Sequence, residues 1–225
     1  MNKSKLMYLS YILDENTPTY GNRNKFICEK KSDISKGNVA NDSSIDTTVH
    51  IGTHIDMPYH FFEDGQTIED FDIEFFSFEN VLFIDMIPES IIIKNDLISK
   101  LQKINNKEIY EILVIKTGIC DKRDDEEFWK SNYGFDPSVA KYLKDSFQNI
   151  RIIGFDSISV SSFANRMIGR ESHRAFLDPK HPILLLEDMD LRYLNENTKI
   201  DKLTIAPFRI AKCDGLPCTV IAEIS

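Results

Sequence analysis

Residues 50–60 read His-Ile-Gly-Thr-His-Ile-Asp-Met-Pro-Tyr-His, so three of the chain's five histidines and one carboxylate fall within eleven positions. Imidazole and carboxylate at this density can hold a divalent cation and move protons at neutral pH. His50, His54, Asp56 and His60 all stand at even positions. The odd positions Val49, Ile51, Ile55, Met57 and Tyr59 are apolar or aromatic, with Thr53 the exception. This alternation sends one set to one face of extended backbone and the other set to a core. A helix would scatter the polar set around its cylinder, and Gly52 and Pro58 disfavour one. A straight strand fails too, because at ~3.3 Å per residue His50 and Asp56 would stand about 20 Å apart. Donor atoms of a single ion lie ~2.0–2.2 Å from it. The expected geometry is a strand ending near His50, a bend at Gly52, and a tight turn folding His54 and Asp56 back toward the same point. Two imidazoles and a carboxylate suit zinc, manganese or iron(II).

The pattern H-x-G-T-H-x-D-x-P-x-H resembles the signature of the metal-dependent cyclase family, which includes bacterial-type kynurenine formamidases and isatin hydrolases. His50, Gly52, Thr53, His54, Asp56, Pro58 and His60 meet every fixed position. A second cluster, Ser172-His173-Arg174-Ala175-Phe176-Leu177 followed by Ile183 to Leu191, resembles the family's H-R-x-L-L…E-N-L-x-L segment. It puts His173 and Glu187 at metal-ligand positions, with Asp188 and Met189 in place of the commoner Asn-Leu. A carboxylate beside so apolar a run is costly to bury unless it meets a cation. The resemblance implies one or two divalent ions, zinc first and manganese second, on His50, His54, Asp56, His173 and Glu187. With two ions, Asp56 and Glu187 would be shared.

The activity implied is hydrolysis of an amide, formamide or lactam bond in a small-molecule substrate. Metal-bound hydroxide would be the nucleophile, since a metal lowers the pKa of its water to about 7, and His60 would be the general acid/base. The family places a substrate-covering aromatic at Tyr20, although Gly21 and Asn22 replace the usual Pro and Asp after it. Kynurenine formamidases resemble one another in having Trp there, which argues against that substrate. The alternative for Tyr20 is a loop residue packed on its own turn. Asp156 and Ser159 fall in a D-x-x-S run and are expected to support the ligands, with a simple loop cap as the alternative. The closing segment from Pro207 to Cys218 resembles the family's P-x…G-x-P-x-R hairpin without its Arg.

Two other readings use the same residues. A non-haem iron(II) oxygenase would take His54, Asp56 and His173 as a facial triad, but that leaves His50, His60 and Glu187 without a role. It also lacks a basic residue for a 2-oxo acid, position 183 being Ile. A metal-binding protein without catalysis is the third reading, and the intact His60 speaks against it.

The elements that must position these residues follow from the rest of the chain. With 225 residues and 42% hydrophobic content, residues 1–225 are expected to form one domain around one core. The 27 basic and 36 acidic residues give a net charge of −9, and no basic cluster suits nucleic acid. Cys28, Cys120, Cys213 and Cys218 include no C-x-x-C pair, which points to reduced thiols in the cytoplasm. Residues 6–13 read as a first strand, not a signal peptide, and no run is long enough to span a membrane.

Strands are predicted over 24–32, 43–50, 80–86, 109–116 and 151–156. Helices are predicted over 95–104, capped by Asn95 or Asp96, over 124–131, and from Asp136-Pro137 onward. Phe71, Phe75, Phe76 and Phe78 are read as core, with an apolar pocket wall as the alternative, and His181 as a surface residue beside Pro182. Alternating strands and helices imply an α/β fold. The resemblance refines this to a single-domain, swivelling β/β/α-type mixed sheet with flanking helices, assembled as a homodimer or larger homo-oligomer.

Overall fold

The computed structural model describes residues 4–225. Its strands are β1 (Lys5–Tyr8), β2 (Ile27–Ser32), β3 (Asp42–Asp46), β4 (His54–Asp56), β5 (Ser77–Phe78), β6 (Val81–Asp85) and β7 (Ile92–Ile93). They continue with β8 (Ile112–Lys116), β9 (Gly134–Phe135), β10 (Ile152–Phe155), β11 (Leu184–Glu187), β12 (Ile200–Pro207) and β13 (Gly215–Ile224). Four α-helices accompany them: α1 (Asn95–Gln102), α2 (Glu127–Lys130), α3 (Pro137–Ser146) and α4 (Arg166–Phe176). The fold is α/β, as the alternating pattern implies.

Nine strands make one mixed sheet in the order β5-β12-β13-β4-β11-β10-β8-β6, with β1 also pairing β13. Strands β6, β8, β10 and β11 run parallel. Ile112–Ile115, Ile152–Phe155 and Leu184–Leu186 are buried throughout, as expected of strands covered on both faces. The short strand β4 is antiparallel to both β11 and β13 and joins the parallel half to the antiparallel half. Its register sets His54 opposite Glu187 and Pro217, and Asp56 opposite Leu185 and Gly215. Two carboxylates and an imidazole therefore share one face of the sheet before any loop contributes.

Several boundaries differ from the sequence-based expectation. The strand predicted over 43–50 stops at Asp46, and β3 pairs only with β2 in a separate arm. Residues 49–53 are bends, and His54 to Asp56 are the strand instead of a turn. Gly52 does make the reversal, at φ +56°, and a Cβ there would meet Leu13 Cδ2 at 2.2 Å. The first strand ends at Tyr8 because the chain turns toward Thr53, whose Oγ1 accepts from the Tyr11 N–H. The predicted helix over 124–131 shrinks to α2, because the chain before it makes i→i+3 turns, Arg123 N to Cys120 O and Asp125 N to Lys122 O.

Helix α1 starts after Lys94, and Asp96 Oδ1 accepts from the Lys94 and Leu97 N–H groups. Helix α3 begins as predicted, with Asp136 accepting from Ser138 N and Pro137 in the first turn. Helix α4, which carries His173, was missing from the sequence-based reading.

Phe76 and Phe78 are buried, and Phe71 and Phe75 pack on the same core. The four cysteines are unpaired, and His181 is exposed. Among the described residues no helix is long and apolar enough to cross a membrane.

Next to Glu187, Asp188 is fully buried at φ +50°. Arg123 grips its carboxylate with two N–H groups, Nε to Oδ1 at 2.9 Å and Nη2 to Oδ2 at 2.7 Å. The same guanidinium lies 3.7 Å from the Tyr11 ring centroid. The Asp188 carbonyl accepts from Thr53 Oγ1 at 2.6 Å, so this pair ties β11 to the turn preceding His54. Arg123→Met would leave a buried carboxylate without its cation. Urea unfolding at neutral pH should show a loss of about 3–5 kcal/mol.

Candidate metal centre

His54 Nδ1–H donates to the Gly52 carbonyl at 2.8 Å, which the left-handed turn at Gly52 brings within reach. In the same way His173 Nδ1–H donates to the Gly169 carbonyl, one helical turn earlier, at 2.8 Å. Each bond fixes the tautomer and leaves Nε2 with its lone pair facing the cleft. His54 Nε2 stands 3.5 Å from Asp56 Oδ1 and 3.4 Å from Glu187 Oε2. His173 Nε2 stands 3.5 Å from Asp56 Oδ2. Such separations are long for hydrogen bonds. They equal the edge of a tetrahedron whose arms are ~2.0–2.2 Å, about 3.3–3.6 Å.

His54, Asp56, His173 and Glu187 are all buried, and no Lys or Arg reaches their carboxylates among the described residues. A donor set of this kind fits a divalent cation. Glu187 Oε1 is held by the Val160 N–H at 2.7 Å and by Ser159 Oγ–H at 3.4 Å, leaving Oε2 to the cluster.

His50 completes the group from the bend. Its Nδ1 lies 2.8 Å from Asp56 Oδ1 and its Nε2 2.7 Å from Asp214 Oδ2. The ring packs over Gly215, where a Cβ would come within 2.4 Å of His50 Cε1. His60 sits in a 3-10 turn, and its Nδ1–H donates to the same Asp214 Oδ2 at 2.9 Å. One donor atom each from Asp56, His60 and His173 lies within 4.8 Å of the others. The His50 and His60 rings are 4.1 Å apart, centre to centre.

The titration of the cluster is dominated by these contacts. Burial alone would lower the His50 pKa, but the Asp56 and Asp214 carboxylates outweigh it and raise the value to about 10. His54 and His173 are raised against the same burial cost, by Glu187 and Asp56 for His54 and by Asp56 and Glu187 for His173. Burial would push Asp56 up, yet His50 and His173 hold it well below the usual carboxylate range. Hydrogen bonds from His50 and His60 depress Asp214 as well.

The cluster opens into a cleft of about 390 Å³. Tyr20 lines it; its hydroxyl is 3.4 Å from Ser161 Oγ and its ring meets Phe163 edge-on at 5.5 Å, so it does not pack on its own turn. Phe61 stacks on His173 at 4.5 Å and is the aromatic wall nearest the cluster, in place of the Phe71 to Phe78 run. Ser159 Oγ lies 3.4 Å from Glu187 Oε1.

Asp156 does not reach the ligands. It is fully buried and accepts from Thr117 N, Thr117 Oγ and Gly118 N at 2.7–2.9 Å, so it caps the turn after β8. Three donors of that turn hold the carboxylate, which matches the loop-cap alternative and not support of the ligands. Asp214 was missed altogether. An Asp-Gly pair ordinarily signals a turn, and only the register of β13 on β4 brings it between two histidines.

The profile of the family described as "Putative cyclase" matches residues 7–162. The chain belongs to the cyclase family. Among relatives, a kynurenine formamidase of Bacillus cereus is 26% identical over 228 residues, covering 98% of each chain. One from Geobacillus thermodenitrificans is 26% identical over 211 residues, covering 93% of this chain and 92% of the relative. Isatin hydrolase A from Labrenzia aggregata superposes with a TM-score of 0.79 at 20% identity, covering 98% of this chain and 93% of that one. A structure described as a predicted metal-dependent hydrolase from Bacillus stearothermophilus gives 0.75 at 21% identity, covering 98% of both. The family's fold therefore runs through the whole described chain.

Proposed function

We propose that this member of the family is a metal-dependent hydrolase of the carbon–nitrogen bond in a small non-peptide amide, formamide or lactam. The observation that carries this reading is the convergence of His50, His54, Asp56, His173 and Glu187 at the base of one cleft, with His60 beside them. The kynurenine formamidases and isatin hydrolases among its relatives and neighbours support the bond type. The five side chains would hold one or two divalent ions. Zinc suits the mixed imidazole and carboxylate set best and manganese is the alternative. The two oxygens of Asp56 face different histidines, which supports a shared carboxylate between two positions.

A bound ion supplies a nucleophile from water at neutral pH and polarises the scissile carbonyl. The chain's own contribution is to place donors and move protons. His60 Nδ1–H is anchored on Asp214, which leaves Nε2 free to take a proton at the cleft and return it to the departing nitrogen. Asp214 acts as a positioning residue, fixing the tautomer of His60 as the buried carboxylate does in a nucleophile–His–Asp arrangement. Phe61 and Tyr20 narrow the cleft around the substrate.

Asp214→Asn should cost about 10–100-fold in turnover or in metal affinity, the usual range for a residue that orients a ligand or base. Paired measurements of kcat and of metal Kd would show which of His50 and His60 depends on it more.

The reading is tested by titrating the chelator-stripped protein with zinc and with manganese while assaying N-formylkynurenine, isatin and simple cyclic imides. Metal-dependent release of a ring-opened or deformylated product is expected, and its absence with every substrate and both ions would overturn the reading. The iron(II) oxygenase alternative is disfavoured because Glu187 joins the His54, Asp56 and His173 set, and position 183 is a buried Ile without charge.

Self-association belongs to the same proposal. Ile27, Val39 and Ile45 are exposed on and beside the β2–β3 arm, which supports a homodimer or larger oligomer, measurable by light scattering. Four unpaired thiols support a reducing, cytoplasmic setting.

A further inference from the structure

Three arginines face the cleft without any carboxylate of their own. Arg23, Arg166 and Arg170 line it, and among the described residues none of their guanidiniums has an ion-pair or hydrogen-bond partner; Arg166 lies over the Phe163 ring at 5.9 Å. The only acidic side chains in the lining are Asp56 and Glu187, both turned into the metal cluster. In a chain of net charge −9, three unmatched guanidiniums at one mouth form a local reversal of sign.

Their placement is set by α4. Arg166, Arg170 and His173 stand at i, i+4 and i+7 on this helix and so share a face. At 1.5 Å of rise per residue, the two arginines lie roughly 5–10 Å along the axis from the histidine. Long side chains on a helix lean toward its N-terminus, which directs both arginines away from His173, and both line the cleft. Gly169 lets this face come close, since a Cβ there would overlap Ser161 Oγ at 1.8 Å. Arg23 enters from the loop after Tyr20. Guanidinium is the side chain best shaped to take a carboxylate through two parallel N–H donors.

We infer that the substrate of this site is an anionic amide, its carboxylate held by Arg166 and Arg170, with Arg23 opposite, while the scissile carbonyl lies at the metal cluster. The inference rests on the hydrolase reading above and adds the charge of the substrate to it.

The test uses the zinc-loaded full chain and a pair of probes of equal shape, 3-formamidobenzoate and 3-formamidobenzamide. Binding of 3-aminobenzoate and 3-aminobenzamide is measured in parallel by calorimetry. The acid is expected to exceed the amide by about tenfold or more in kcat/KM, as a charge-assisted hydrogen bond allows. The preference should shrink as salt rises, because the arginines are exposed. A carboxylate can also sit on a metal, so the decision falls to Arg166→Gln/Arg170→Gln, in which the ratio of acid to amide should drop toward one.

A circular-dichroism spectrum and metal content equal to the parent's separate this from misfolding, and R170K, which keeps charge but not the fork, should recover part of the ratio. Equal treatment of acid and amide by the parent, or a preference that survives in the double variant, would overturn the inference. If neither formamide is cleaved, the hydrolase reading fails for this bond. The binding arm then decides the inference alone: selective binding of 3-aminobenzoate, lost in the double variant, upholds it, and equal binding of the two anilines overturns it.

Discussion

Replacing His60 by alanine should lower kcat by about 10²–10⁴-fold, the usual contribution of a positioned acid–base group, while bound metal should stay near the parent level. The geometry requires this asymmetry. Asp214 accepts from His60 Nδ1, so the other ring nitrogen is the one that faces the cleft. His50, His54 and His173 are by contrast each pinned by a neighbour that leaves a nitrogen toward Asp56. Removing His60 therefore subtracts a proton carrier without subtracting the buried carboxylates that hold the cation. Metal analysis of the purified variant alongside steady-state kinetics makes the check. If the variant instead lost its metal in proportion to its activity, His60 would be a ligand and not a base.

Asp56→Asn has the larger structural consequence. Asp56 is 1% exposed, and its two oxygens face His50, His54 and His173. The amide removes the charge that binds the cation, so activity and stoichiometric metal binding should both disappear. The ion-free protein also loses an internal counter-charge, and breaking a buried pair on one side costs about 3–5 kcal/mol.

The pH dependence of that loss has a definite sign. In the folded state the Asp56 and Asp214 carboxylates raise His50 to about 10 from its ordinary value of 6.5. Its contribution is thus fully present below pH 6.5 and is lost as pH rises through 10. Asp56 is held below its ordinary value of 3.8, so its contribution is present above that value and lost as pH falls through the folded one. Chelator-treated parent protein should therefore be most stable between about pH 4 and 6.5 and weaken steadily toward pH 10. In Asp56→Asn the alkaline decline should be much shallower, which urea unfolding across pH would show.

The alternation across 50–60 made the bend at Gly52 and the shared face of His54 and Asp56 legible, because period two is a property of the backbone itself. Which strands flank that face was not legible from alternation. Glu187 opposite His54 and Gly215 opposite Asp56 depend on register between segments far apart in sequence. Asp214 escaped notice for the same reason, being 154 positions from His60, its hydrogen-bond partner.

Helix α4 was obscured by its own composition. Gly169 sits mid-helix and its face toward the cleft is arginine and histidine, so the apolar stripe that marks a helix in sequence is thin. Asp156 shows the opposite case, where the loop-cap alternative holds. A carboxylate at the end of a parallel strand is well placed for a site, but the nearest peptide N–H groups at Thr117 and Gly118 took it first. The pocket wall went to Phe61 and not to the richer phenylalanine run, because stacking on His173 follows from where the 3-10 turn at 58–60 ends, not from local aromatic density.

Crystals of the zinc-loaded protein, measured at the zinc absorption edge, give the most direct test of the convergence on which everything above depends. The expected anomalous density lies among His54 Nε2, the Asp56 carboxylate, His173 Nε2 and Glu187 Oε2, at about 2.0–2.2 Å from each donor it engages. Density on surface carboxylates with none inside this cluster, or His173 and Glu187 turned away from Asp56, would contradict it.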